Sequence, residues 1–314
     1  MRSRSHLPAA ASRGAFTLIE LLVIVGIVLL LTMVTVRAVV PNTEARRIRE
    51  SARLVDQFIH GARARAIETG RPFGVQIVPR ADGKAFTLEY IHVPAPYAGD
   101  TLDARARIVG YNQNDKTVTI ELDDVGWQGL VQAGDTVMLN HSSRMFQLVT
   151  ASPGPPAQWV LSPVDGGLPL YAVGSEVPYK VLRAPEKASG ELELLEPAAI
   201  DTAASTVGDP NIVPSAGNIA FLFSPGGSLM SANTPETGWH RPNAPLYLLV
   251  SKVENLTADA VQDFESYWIA INHQTGLVVA AESAGPAEIN NATLINHLTH
   301  SRLLVKSKFT LGSR

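Results

Sequence analysis

Residues 16–36, FTLIELLVIVGIVLLLTMVTV, form an apolar run of 21 residues whose only formal charge is Glu20. At about 1.5 Å per residue, a helix of that length reaches roughly 30 Å, the thickness of a bilayer's hydrocarbon core. The run therefore predicts a transmembrane helix. Arg2, Arg4 and Arg13 precede it, with no acid among residues 1–15, which favours a cytoplasmic N-terminus. Arg37, Arg46, Arg47, Arg49 and Arg53 pull the other way. A secretory signal peptide fits poorly, because no small-x-small site closes the run before Arg37. A plain anchor accounts for the length but not for Glu20. An ionised acid in a membrane helix costs about 2.5–3.5 kcal/mol at the centre and less near an end.

Gly14–Val25, GAFTLIELLVIV, places that acid in a pattern. The stretch resembles the N-terminal signature of type IV prepilins and type II secretion pseudopilins, matching Phe16, Thr17, Leu18, Ile19, Glu20, Leu21 and Leu22 in order. The resemblance implies that prepilin peptidase cuts the leader and methylates the new N-terminus. Cutting between Ala15 and Phe16 makes Glu20 the fifth mature residue. Cutting after Gly14 keeps the family's usual glycine but moves Glu20 to sixth, and the longer register match favours Ala15. The resemblance also implies an assembly role for Glu20, pairing with the N-terminal amine of a neighbouring subunit.

Beyond the run, Pro41-Asn42 predicts a kink. Ala45, Ile48, Ala52, Val55, Ile59, Ala62 and Ala66 then recur at spacings of three and four. That pattern is one apolar stripe along a stem helix over 37–70, closed by Gly70 and Pro72. The stripe suits packing on the chain's own sheet better than a coiled coil. The seven arginines from Arg37 to Arg65 offer a second use, contact with anionic lipid headgroups.

From Phe73 the chain reads as strands and turns. Phe73–Val78 and Ala85–Val93 flank Asp82-Gly83, a hairpin signal. Short runs at Ala106–Tyr111, Thr117–Leu122, Thr136–Asn140 and Met145–Val149 suggest a small antiparallel barrel or sandwich. Asn218–Leu229 (NIAFLFSPGGSL), Tyr247–Val250 and Trp268–Ala280 (WIAINHQTGLVVA) resemble the closing strands of minor pseudopilins of the H / FimT-type family. Pro225-Gly226 and Thr275-Gly276 would supply its tight turns. Members of that family are commonly shorter, so residues 94–185 are expected as an inserted β-subdomain. Residues 198–217 read as a loop and 286–305 as a terminal helix.

The expected fold class is α+β: a long N-terminal helix, transmembrane, kinked and then amphipathic, packed on an antiparallel β-rich head. The expected division is a leader over 1–15, a transmembrane helix over 16–36, the stem over 37–70 and the head over 71–314. The expected location is the bacterial inner membrane, single-pass, with the head in the periplasm.

Catalytic chemistry is not evident. The eight histidines include no HExxH pair, and His297 and His300 form a weak metal candidate. There is no GxSxG, Walker A loop or EF-hand. Asp123-Asp124 reads as a solvated turn rather than a calcium site. The chain has no cysteine, which removes disulfides and thiolate metal sites. No cofactor is expected. Residues 72–314 carry 15 basic and 24 acidic side chains, so no broad cationic surface for nucleic acid is expected. The leading reading is a minor pilin or pseudopilin, not an enzyme. Its partners would be prepilin peptidase, other pilin or pseudopilin subunits and membrane lipid. The alternatives are a membrane-anchored exported binding module using the inserted β-region and an exported hydrolase on a membrane stalk.

Overall fold

The computed structural model of the chain describes residues 17–154, 156–167, 171–207, 217–234, 238–255, 257–283 and 294–310. Helix α1 spans Leu18–Thr69 and ends at Gly70, whose φ of 64° places it in the left-handed region that glycine tolerates. Of the predicted stripe, Ile48, Ala52, Val55, Ile59, Ala62 and Ala66 are buried. They meet two antiparallel sheets in one core.

The first sheet has the order β11-β3-β1-β13-β14-β15. Its members are β1 (Phe73–Val78), β3 (Thr87–His92), β11 (Glu186–Glu193), β13 (Ile219–Phe223), β14 (Leu229–Thr234) and β15 (Gly238–His240). The second runs β18-β17-β16-β12-β2, from β2 (Lys84–Ala85), β12 (Ala198–Val207), β16 (Leu246–Lys252), β17 (Tyr267–Ile271) and β18 (Val278–Glu282). Every residue of β17, YWIAI, is buried. The second sheet is covered on both sides, so its central strands are apolar throughout rather than alternating. One face packs towards α1. The other, with Tyr247, Leu249, Trp268 and Ala281, lies under α2 (Thr257–Gln262) and α3 (Leu294–Thr310).

The third sheet stands on its own core. It comprises β4 (Ala106–Asn112), β5 (Thr117–Leu122), β6 (Thr136–Leu139), β7 (Met145–Ser152), β8 (Ala157–Pro163), β9 (Glu176–Val177) and β10 (Tyr179–Leu182). β9 pairs with β4, while β10 pairs with β6. These two strands are one stretch interrupted at Pro178, so the sheet closes into a barrel. Trp159, Phe146, Ile108, Ile120 and Val137 fill it. Closure removes the free edges that an open sheet would expose.

Several expectations are corrected. The expected fold class, built on a transmembrane N-terminal helix, is corrected. Among the residues whose side chains are described, about 40% are strand and 24% helix. No helix among the described residues is long and apolar enough to cross a membrane. The single-pass inner-membrane location falls with the span. The bounds of α1 pass Pro41-Asn42 without a break, since one proline removes a single intrahelical hydrogen bond.

The predicted loop over 198–217 is also corrected. Its first part is β12, held between β16 and β2, and 208–216 lie outside the described residues. Alanine-rich AAIDTAASTV has weak strand propensity, and pairing on both sides overrides it. The expected strand Ala85–Val93 divides, with β2 joining the second sheet and β3 pairing with β1. Of the expected terminal helix over 286–305, residues 286–293 lie outside the described residues, and the helix described covers Leu294–Thr310.

Candidate functional site

The N-terminal half of α1 is the least satisfied surface in the described chain. Thr17 caps the helix, its Oγ1 accepting from the backbone N–H of Glu20 at 3.3 Å. Thr17-Leu18-Ile19-Glu20 therefore has the spacing of a capping box, and Glu20 places negative charge at the positive end of the helix. The sequence reading missed that local role. Leu18 is 83% exposed, Leu22 64% and Leu30 68%. Ile19, Leu21, Val23, Ile24, Val25, Ile27, Val28, Leu29, Leu31 and Met33 are exposed as well. The apolar surface runs round the helix rather than along one stripe. A helix apolar on all sides requires cover from something else.

The C-terminal half of α1 is fixed to the sheets by its arginines. Arg63 donates from Nε to the Gly227 carbonyl at 3.0 Å and from Nη2 to the Thr275 carbonyl at 3.2 Å. It thereby ties together the Pro225-Gly226 and Thr275-Gly276 turns. Arg49 donates to the Tyr267 hydroxyl at 2.8 Å, which donates to Glu282 at 2.8 Å. The hydrogen bond to Tyr267 raises the Arg49 pKa above its ordinary value. Arg65 lies 4.3 Å from the Tyr90 ring centroid and donates to the Ser189 carbonyl. Tyr90 in turn stacks on Phe58 at 3.9 Å. Three of the stem arginines suggested for lipid headgroups are thus committed to the head.

A polar cleft of about 400 Å³ opens on the barrel, lined by Asp103, Arg105, Arg107, Glu121, Asp123, Asp124 and Glu176 among others. At its side, Asp100 accepts from Tyr97 at 2.8 Å and from the backbone N–H groups of Val125 and Gly126. The Gly126 hydrogen bond leads in lowering its pKa. Asp124 accepts from the Asp100 backbone and from Tyr179 at 2.7 Å. Burial, more than these hydrogen bonds, raises both tyrosine pKa values. Asp124 is therefore a structural acceptor, while Asp123 remains exposed. No group of three or more His, Cys, Asp or Glu side chains among the described residues is placed to hold a metal.

Gly14, Ala15 and Phe16 lie outside the described residues, as does the side chain of His297. Glu20 is described, exposed, and without a side-chain partner among the described residues. His300 is exposed on α3. Arg63 is the residue that sequence reasoning missed most plainly, although the two turns it clamps were singled out. No family model, curated protein or solved structure matches the chain.

Proposed function

We propose that the chain is a pilin-like subunit, processed by prepilin peptidase and built into a type II secretion or type IV pilus-like filament, and that it is not an enzyme. The observation that carries this reading is Leu18–Met33, an apolar helical surface exposed on every side. The corresponding segments of other copies would cover it. The Phe16–Leu22 resemblance supports the same reading. An exported binding module is the second reading, favoured by the closed barrel with its own core and polar cleft.

In cells with active prepilin peptidase, the mature chain should begin at Phe16, as read by mass spectrometry. Glu20→Leu should leave the head folded and block entry into a filament. Breaking a buried ion pair costs about 3–5 kcal/mol, and even half of that lowers docking about tenfold. Glu20→Gln keeps a residue suited to the capping box and should fail similarly, which separates charge pairing from helix capping. Normal assembly of both variants, or an intact leader on the assembled chain, would refute the reading.

A further inference from the structure

Two apolar surfaces far apart in sequence have opposite charge. The first is a groove of about 440 Å³ beside α1, lined by Arg47, Glu50, Leu54, Glu193, Leu195 and Glu196 among others. Leu195 is 77% exposed and Leu54 39%. Its three glutamates against one arginine leave the lining net negative. Glu193 and Glu196 have no ion pair among the described residues, and Glu50 reaches only Arg53 at 3.8 Å. The second surface is the outer face of α3. Its inner face, with Leu298 and Val305, is packed on the second sheet. Outside, Leu303 is 57% exposed with exposed Lys306 one turn on, and Leu304 is 39% exposed with exposed Lys308 one turn on, so the two lysines flank opposite edges of this face. Neither lysine has an ion pair among the described residues. Arg302 is only 2% exposed and adds nothing to this face.

We propose that the outer face of α3 on one copy docks in the α1 groove of a second copy. Leu303 and Leu304 meet Leu54 and Leu195, and the two lysines meet Glu193 and Glu196. The occupant is another copy because α3 turns this face away from the head on which it packs. The two patches differ, so the contact is heterologous and can propagate head to tail. This inference rests on the assembly reading and names a contact separate from the exposed Leu18–Met33 segment of α1.

The absence of native cysteine makes the contact directly testable in the full chain. Copies carrying Leu195→Cys, mixed with copies carrying Leu304→Cys, should give a disulfide-linked heterodimer, which requires Cα atoms within about 7 Å. Adding Lys306→Glu and Lys308→Glu to the second copy should lower the yield about three- to tenfold, as expected for two exposed ion pairs. Glu193→Lys and Glu196→Lys on the first copy should then restore it. A yield unaffected by charge reversal, or matched by a Gln113→Cys control on the barrel, overturns the docking. Filaments that form without this cross-link overturn the docking and leave the assembly reading standing. A chain that is monomeric at every concentration overturns both.

Discussion

Arg63→Ala offers the most direct test of how the stem is fixed to the head. The guanidinium donates at 3.0 Å to Gly227 and at 3.2 Å to Thr275. A hydrogen bond from a charged group contributes about 1.5–3 kcal/mol. The Thr275 bond lies towards solvent, so it takes the low end or less, and the pair contributes about 2–3 kcal/mol. The turns have little other freedom. Gly227 and Gly276 have φ values of 81° and 64°, and a Cβ on Gly276 would fall 1.8 Å from the Gly227 oxygen. Removing the clamp should therefore open the turns locally. Amide hydrogen exchange should quicken roughly 30- to 140-fold, at about 1.4 kcal/mol per tenfold. The affected amides are Gly227 (bonded to Ser224), Leu229 (bonded to His273) and Gly276 (bonded to Asn272). Barrel amides should be unchanged, because that core is separate. Arg63→Lys should recover less than half of the protection, since a lysine lacks the planar fork. Exchange within threefold of the parent in Arg63→Ala would refute the clamp.

Gly61→Ala replaces a glycine within α1, where helix propensity alone favours alanine by about 1 kcal/mol. The new Cβ would sit 2.6 Å from the Tyr90 hydroxyl, which donates to the Phe58 carbonyl at 3.1 Å; the variant should be less stable by about 1 kcal/mol in urea unfolding, and a more stable variant would contradict this packing. Arg302 is buried with one hydrogen bond among the described residues, to the Ala204 carbonyl at 3.0 Å, and burial lowers its pKa from the ordinary arginine value to about 10. That drop corresponds to about 3 kcal/mol against the charged form, partly offset when Met forfeits the Ala204 bond, so Arg302→Met should be as stable as the parent or up to about 2 kcal/mol more stable at neutral pH. From about pH 10 up to the ordinary arginine pKa the unfolded chain holds the proton more tightly, so the parent should gain stability with rising pH and Arg302→Met should lack that gain; a loss above 1 kcal/mol in Arg302→Met at neutral pH would show that the charge stabilises the fold.

Local pattern was legible where one element's own spacing determined it. The three-and-four spacing from Ile48 to Ala66 locates the buried face of α1, because each side chain's burial follows from helix geometry alone. β5 alternates strictly in burial, and its TVTIEL pattern reads as a strand for the same reason. β12 was missed because its identity depends on neighbours remote in sequence. Its Asp201 is 1% exposed and accepts from Lys84 Nζ at 2.6 Å, an ion pair across 117 positions that turn and propensity rules cannot see. The barrel's closure depends in the same way on Pro178 dividing one stretch between β4 and β6.

The candidate site shows the same division more sharply. On the proposed assembly reading, Thr17-Leu18-Ile19-Glu20 would meet two demands with one set of residues. The first, capping α1, is local and appears as the 3.3 Å bond from Glu20 N–H to Thr17 Oγ1. The second, pairing the Glu20 carboxylate across subunits, needs a partner that a single chain does not supply. An N-cap contributes about 1 kcal/mol and tolerates many polar residues. It therefore gives no reason for thirteen large apolar side chains to follow it into solvent. The exposed surface, rather than the acid by itself, is what a lone folded chain leaves unexplained. Cover by other copies, as proposed, would account for both that surface and a carboxylate that has no side-chain partner among the described residues.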